Sequence, residues 1–197
     1  MLSRPMPRVF FARDASKVAH DLIGKHIVHG GVVLRITETE AYGGATDSAS
    51  HCRFGPTQRN APMWGPPGHL YVYLCYGIHR MMNIVTGCDG EGQAVLVRSA
   101  EVVRGLPTVL RRRGGQRRAL LVAGPGKVAA ALALDVTDSG KDICTPSFIY
   151  IEDGAPAAVQ AGFRVGVDFA TAVDRRRPWR FVDAASSEVS HQRALYG

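Results

Sequence analysis

The sequence of 197 residues has few cysteines and no long apolar run. Apolar stretches such as 129–134 are far shorter than a membrane span, and residues 1–7 lack the apolar core of a secretory signal. The four cysteines have no C-x-x-C spacing, so they predict neither a structural zinc site nor a disulfide framework. We therefore expect reduced thiols and a cytoplasmic location.

The composition is that of a globular protein, with 46% apolar and 21% charged residues. For a chain of this length, folding buries about 70% of the surface, which is enough for one domain core. Basic residues outnumber acidic ones by 24 to 17, for a net charge of +7. Because net charge governs association, the excess favours an anionic partner: nucleic acid, a membrane surface or an acidic small molecule. Solubility alone is the plainer explanation.

The hydrophobic pattern predicts short strands and few helices. Asp14 or Ser16 can cap a helix that ends near residue 23, and Gly30-Gly31 can supply the positive φ of a tight hairpin. Strands are predicted at 25–29, 32–39, 70–76, 82–86, 94–100, 148–152, 163–169 and 179–183, and a further helix at 126–133. Many short strands without alternating helices favour one antiparallel α+β domain.

Residues 43–68 are polar and rich in glycine and proline. Loops of this length in compact domains are usually functional, so an ordered loop at a binding site is predicted. His51 lies in it and could be a metal ligand, a hydrogen-bonding group or an ordinary loop residue. The histidines and cysteines lack ligand spacing, so we expect no metal site.

Two carboxylates end the strand that enters this loop. With a period of two, Leu34, Ile36, Glu38 and Glu40 share one face, at roughly 7 Å spacing. Burial of an unpaired carboxylate raises its pKa, which is how general acids and bases arise. The alternative is that the strand has left the core and both side chains are solvated.

Three tyrosines follow in the next strand and its turn. Tyr71 and Tyr73 share a face, which most often means packing in a core or between strands. Tyr76 stands beside the turn residue Gly77, where it would be exposed. An exposed aromatic ring in a basic protein can stack on bases or wedge between them.

Gly124-Pro125-Gly126-Lys127 opens the second predicted helix. It lacks the spacing of a P-loop, so we interpret it as a helix N-terminus with a lysine directed at one phosphate, or as a simple turn.

Seven motifs follow one another in a fixed order. They are Glu38-Thr-Glu40-Ala-Tyr42, 47–51, 57–60, Tyr71-Val-Tyr73 to Tyr76-Gly77, Asn83, 94–98 and the GPGK segment. Together they resemble the alkyladenine (3-methyladenine) DNA glycosylase family, over about residues 8–183, and are similar to its bacterial-type members. The resemblance excludes the solvated alternative for Glu38 and Glu40.

The resemblance implies an α+β domain spanning residues 1–197, with a central antiparallel, barrel-like sheet, peripheral helices and a protruding hairpin. It implies a monomeric, monofunctional DNA N-glycosylase that acts without metal or other cofactor. The substrate would be duplex DNA containing damaged purines: 3-methyladenine, 7-methylguanine, hypoxanthine or ethenoadenine. The enzyme would flip the base out and leave an abasic site for base excision repair. We expect a nucleoid-associated cytoplasmic protein with no membrane partner.

The resemblance also assigns roles to residues. Tyr76 would fill the space that the flipped base leaves, and Tyr42 on one side, with His51 and Tyr73 on the other, would sandwich the base. Asn83 would crowd the 2-amino group of guanine.

For the chemistry, the resemblance implies that Glu40 activates the water that attacks C1′, and that Arg98 holds this water and a phosphate. Glu38 would support them. Arg59 and Lys127 would contact the DNA backbone. Residues 51–57 form a shorter stretch than in some members, so DNA contacts there are not carried over. His79 and Arg80 follow the hairpin where members vary, so the choice of lesion is not carried over either.

Two alternatives remain open. A non-catalytic damage-binding module would keep the aromatic pocket, and a nucleoside N-glycosidase would keep the carboxylates. The arginine clusters at 111–118 and 175–180 either contact DNA or form solvated faces.

Overall fold

Two long antiparallel strands, β2 and β5, form the centre of the fold. The computed structural model describes residues 4–115 and 120–190. Its strands are β1 (His26–His29), β2 (Val32–Gly43), β3 (Leu70–Cys75), β4 (His79–Thr86), β5 (Gln93–Arg104), β6 (Ile149–Glu152), β7 (Val159–Gly162) and β8 (Arg180–Asp183). Its helices are α1 (Arg8–Phe11), α2 (Ala15–Asp21), α3 (Leu106–Arg112), α4 (Pro125–Leu132) and α5 (Ala172–Arg175).

The strands form one antiparallel sheet with the order β3-β4-β5-β2-β1-β6, and β8 pairs with both β2 and β7. One edge of β2 pairs first with β1, at residues 32–35, and then with β8, at residues 38–40, while β5 runs along the other edge. Register shifts near Val33, Ile36 and Glu38 interrupt the β2–β5 pairing. Such bulges increase twist, and the sheet is curled. The predicted α+β class and barrel-like antiparallel sheet are confirmed.

The main core lies between the sheet and the helices α2 and α4. Asp14 caps α2 by accepting a hydrogen bond from the Ser16 amide at 2.9 Å. Val18 and Leu22 are fully buried, as their spacing of four predicts. The longest helix among the described residues, α4, has eight residues, and none of these helices is long and apolar enough to cross a membrane.

Most predicted strands are present, with shifted ends. Gly30 and Gly31 form the predicted hairpin turn with φ of +55° and +78°. The prediction of a strand at 163–169 is wrong. The strand β7 lies just before it, and residues 163–169 are irregular because Arg164 turns into a buried ion pair and Gly166 adopts φ of +74°. Helix α3 was not predicted, and it ends in Arg111 and Arg112; Arg117 and Arg118 lie outside the described residues.

The loop between β2 and β3 is ordered, as predicted. Asn60, which is buried, holds it together through its side chain. The side-chain oxygen accepts from the Thr57 amide at 2.6 Å, and the nitrogen donates to the carbonyls of His51 and Gly55 at 2.9 and 3.1 Å. Because one buried side chain joins three points of the loop, His51 has a fixed position.

Candidate active site

A cavity of about 560 Å³ opens between two walls of the domain. The first wall comes from β3, β4 and the His51 loop, and a small apolar cluster including Cys52 and Met63 supports it. The second wall comes from Tyr42 and residues 165–169, and a separate cluster of Ala49, Val167 and Ala170 supports it. The volume is typical of a small-molecule site and fits a single base.

Three aromatic rings form the first wall. The rings of Tyr71 and Tyr73 stack with centroids 5.4 Å apart, so the predicted shared face is confirmed. His51 lies edge-on to Tyr73, at 4.5 Å between centroids, and its Nδ1 is 3.0 Å from the Tyr71 hydroxyl.

His51 is neutral at pH 7. Partial burial of its ring, together with the positive charges of Arg59 and Arg53, lowers the pKa of His51 to about 4. A neutral imidazole on the wall does not repel a cationic ligand, whereas an imidazolium would.

Asn83 lies on β4 opposite Tyr71 and is almost fully buried. Its side-chain nitrogen donates to the carbonyls of Tyr71 and Met81, at 3.1 and 3.3 Å. Both amide hydrogens are therefore used by the main chain, and the carboxamide oxygen is what remains to meet a ligand.

Tyr42 forms the second wall and is held from two sides. Its hydroxyl donates to Glu40 Oε2 at 2.9 Å, and the Arg164 guanidinium lies 5.0 Å from its ring centroid. The Arg164 side chain is fully buried and pairs with both carboxylate oxygens of Asp47, at 2.5 and 2.9 Å. Its guanidinium also lies 5.2 Å from the ring centroid of Trp179. The stacking surface of Tyr42 thus rests on a buried ion pair.

Glu40 lies directly behind the cavity lining and is fully buried. Its Oε1 accepts from the Val165 amide at 2.7 Å, and its Oε2 accepts from Arg98 Nη1 at 3.1 Å as well as from Tyr42. Val165, Arg98 and Tyr42 all line the cavity. The carboxylate therefore lies immediately behind three residues that line the cavity, and the solvated alternative is wrong.

Glu38 lies deeper and is surrounded by hydrogen-bond donors. It accepts from Arg98 Nε at 3.0 Å, Arg180 Nε at 2.7 Å and Ser99 Oγ at 2.7 Å. The amide and hydroxyl of Ser190 add bonds of 2.7 and 3.0 Å. Both oxygens of Glu38 are therefore engaged inside the protein, and one of these bonds fixes the position of Arg98.

The branching of the sheet at β2 brings these groups together. Glu38 pairs with Ser99 of β5 and Val182 of β8, and Glu40 pairs with Arg180 across β8. Arg98 and Arg180 balance the two carboxylates, as buried charges require. Burial alone would raise the pKa of Glu38, but the charges of Arg98 and Arg180 outweigh it and lower that pKa below its usual value.

The rim of the cavity includes the tip of the β3–β4 hairpin. Tyr76, at φ of +50° beside Gly77, exposes 91% of its surface and lines the cavity, which confirms its predicted place at the tip. Arg59 also lines the cavity, donates to the Leu74 carbonyl at 3.0 Å and lies 5.6 Å from the Tyr73 ring centroid.

Lys127 does not reach the cavity. Its Nζ donates to the Leu120 carbonyl at 3.1 Å, in a separate groove on the other side of the hairpin that also contains His79 and Arg80. A contact of Lys127 with DNA stays a prediction.

Three residues of the site were missed in the sequence. Arg180 belongs to a cluster for which DNA contact or a solvated face was expected, and it is instead buried against Glu38. Arg164 and Ser190 lie more than 100 residues from their partners Asp47 and Glu38, and no local pattern marks them. Within residues 4–115 and 120–190, no three His, Cys, Asp or Glu side chains are grouped to hold a metal ion.

Comparisons with known proteins agree with the order of motifs in the sequence. The model of the family described as methylpurine-DNA glycosylase (MPG) matches residues 9–187. A protein of Nitrosococcus oceani named "Putative 3-methyladenine DNA glycosylase" is 49% identical over 176 residues, covering 89% of this chain and 88% of that protein. An Arabidopsis thaliana protein named "DNA-3-methyladenine glycosylase" is 45% identical over 188 residues, covering 94% of this chain and 74% of its own.

An archaeal relative, from Methanocella arvoryzae, bears the same name as the Nitrosococcus protein. It is 44% identical over 191 residues, covering 94% of this chain and 95% of its own. The family model spans most of the sequence, and the Nitrosococcus and Methanocella relatives each align over more than 85% of both chains. The chain therefore belongs to the methylpurine-DNA glycosylase family.

Proposed function

We propose that the protein is a monofunctional DNA N-glycosylase that removes damaged purines from duplex DNA by flipping them into the aromatic cavity. The substrates are of the 3-methyladenine, 7-methylguanine, hypoxanthine and ethenoadenine class, and the product is an abasic site. One observation carries the proposal: the Glu40 carboxylate, bonded to Arg98 and Tyr42, lies directly behind a cavity with aromatic side chains on both walls. Family membership supports hydrolysis of an N-glycosidic bond.

Base recognition in this proposal is stacking. Tyr42 covers one face of the flipped purine, and Tyr73 with His51 covers the other. A cationic purine gains roughly 0.5–2 kcal/mol from such aromatic faces, and the low pKa of His51 keeps that side uncharged. Asn83 excludes normal guanine by its volume at the cavity wall, since its amide plane is fixed by two main-chain carbonyls.

Glu40 serves as the general base. It takes a proton from the water that attacks C1′, the C1′–O bond forms, and the glycosidic C1′–N bond breaks with its electrons on the purine. A carboxylate at this point also stabilises the positive charge that develops on the sugar. Arg98 donates to Glu38, to Glu40 and, through Nη2, to the Ser190 hydroxyl, so it orients the general base. Because Arg98 also lines the cavity, its remaining N–H groups are offered to the water or a phosphate.

In this proposal Tyr76 and the net positive charge of the protein contact and attract the DNA. Flipping a base needs a few kcal/mol, least where the base is damaged or mispaired. Tyr76 enters the vacated space in the stack, and the net charge of +7 supplies sequence-independent attraction to the backbone.

The test is release of the base under single-turnover conditions. Duplexes with one hypoxanthine or ethenoadenine, and alkylated duplex DNA, are incubated with the protein in the presence of chelator. We expect base release and an abasic site. Glu40→Gln should slow release by about 10²- to 10⁴-fold while the lesion duplex is still bound.

The matched control is Glu152→Gln, at the distant strand β6, which should act like the parent. Full activity of the Glu40 variant on every substrate would exclude Glu40 as the base. Binding of lesions without release by the parent would identify a damage-binding module. Cleavage of free nucleosides in preference to duplex DNA would identify a nucleoside N-glycosidase.

A further inference from the structure

A guanidinium lies between two exposed phenylalanine rings at the cavity edge. The Arg53 guanidinium is 4.6 Å from the Phe54 ring centroid and 5.1 Å from that of Phe169. Phe54 exposes 84% of its surface and Phe169 exposes 63%. We call these three residues the rim stack. It joins two segments more than 100 residues apart in the sequence.

The rim stack lies next to the cavity. Phe169 lines the cavity, and it follows Val167, which packs with Tyr42 on the second wall. Arg53 and Phe54 follow His51 of the first wall. The stack therefore bridges the two walls at one edge, whereas Tyr76 stands at the tip of the hairpin.

The internal contacts of the stack do not account for its exposure. Arg53 is fixed by a hydrogen bond from its Nη1 to the Ser50 carbonyl at 3.0 Å, but its positive charge has no carboxylate partner within residues 4–115 and 120–190. Large aromatic rings left in water forgo the stabilisation that burial would provide. Exposed rings around a cation, beside a cavity, suit a partner that offers apolar faces and negative charge together.

We propose that the rim stack binds the lesion-bearing DNA strand at the nucleotide next to the flipped one. The Arg53 guanidinium meets a phosphate, and Phe54 and Phe169 pack against the sugar and base of that nucleotide. The same strand is chosen because the neighbouring nucleotide is covalently tied to the one in the cavity that Phe169 lines. This inference rests on the proposed function, since it assumes that a nucleotide enters the cavity.

The experiment measures binding to hypoxanthine-containing DNA, as a duplex and as the isolated lesion strand. Phe54→Ala, Phe169→Ala and Arg53→Ala are each made in the Glu40→Gln background, so that the base stays attached. We expect about fivefold or greater loss of affinity for both DNA forms with each phenylalanine variant, as for a lost stacking contact. Arg53→Ala should in addition reduce the slope of log affinity against log salt by about one on the duplex.

Two controls match the variants. Phe163→Ala removes a partly exposed phenylalanine of the same segment that does not line the cavity. Arg13→Ala removes an arginine that stacks on the Phe10 ring at 4.5 Å, in a remote region. Both controls are made in the same Glu40→Gln background and should bind like the Glu40→Gln protein. Thermal unfolding checks that every variant is folded. If Phe169→Ala fails to fold, Phe54→Ala alone decides the outcome.

Unchanged binding of both phenylalanine variants would overturn the inference. Loss confined to the duplex would overturn it as well, because that result places the contact on the complementary strand. Base release by the parent enzyme is assayed separately. If the parent releases the base but the variants bind normally, only the rim stack fails; if the variants lose affinity but the parent releases nothing, only the proposed catalysis fails.

Discussion

The floor of the cavity and its rim differ in how their side chains are used within the fold. We use floor for Arg98, which lines the cavity, together with Glu40 and Glu38 behind it. These three residues are buried, and each forms several hydrogen bonds inside the protein. At the rim, Tyr76 and Phe54 are almost fully exposed and touch little of the fold. Internal hydrogen bonds hold the floor in one geometry, as a catalytic group needs if it is to be oriented toward its substrate. The rim residues instead keep their aromatic faces exposed and available to a partner.

This difference predicts that substitutions separate into two groups. Changes at the floor should reduce the free energy of unfolding together with base release, because each removes a partner from a buried charge. Changes at the rim should alter DNA binding and leave the free energy of unfolding nearly unchanged.

The largest effect is expected for Arg98→Met. It leaves Glu40 without its guanidinium partner in a buried place, so the free energy of unfolding should fall by about 3–5 kcal/mol. Base release should also be lost. Urea unfolding measures the first effect and single-turnover assays the second.

The matched control is Arg80→Met, which breaks the exposed pair with Asp135 and should lose less than about 1 kcal/mol. Equal losses in the free energy of unfolding for the two arginine variants would show that the buried floor contributes no more to stability than a surface ion pair.

A smaller effect is expected for His51→Gln, on the dependence of stability on pH. The folded-state pKa of His51 is lowered to about 4 from 6.5, so between these values the unfolded chain takes up a proton that the folded chain does not. The stability of the parent should therefore fall as the pH drops from about 6.5 to about 4. In the variant this contribution is absent, and its unfolding curve should change less across that window. Parallel curves for parent and variant would contradict a neutral His51.

The smallest effect on stability is expected for Tyr76→Ala. Alanine retains the Cβ at the positive φ, so the backbone of the turn is unaffected, and the free energy of unfolding should change by no more than about 0.5 kcal/mol. Affinity for a lesion duplex should nevertheless fall about fivefold or more, because the vacated space in the base stack is no longer filled. Leu120→Ala, another exposed apolar residue at positive φ, is the control. A large loss of stability would show that Tyr76 belongs to the fold and not to a DNA surface.

Local patterns in the sequence were sufficient where the structure depends on neighbouring residues. The period of two placed Tyr71 and Tyr73 on one face, and Gly77 marked the turn that exposes Tyr76. The pattern failed at 163–169, where alternation suggested a strand. There a single long-range ion pair between Arg164 and Asp47 outweighs strand propensity.

The sequence by itself determined the α+β class, the ordered loop, the hairpin tip and the family, because each depends on short-range periodicity, turn residues or the order of motifs. Only the tertiary structure decided that Glu38 and Glu40 share Arg98, that Arg180 is buried beside them, and that Arg164 lies against Tyr42. The physical reason is that these charges are stable inside the protein only as partners of one another. The branching of the sheet at β2, and not any local pattern, brings those partners together.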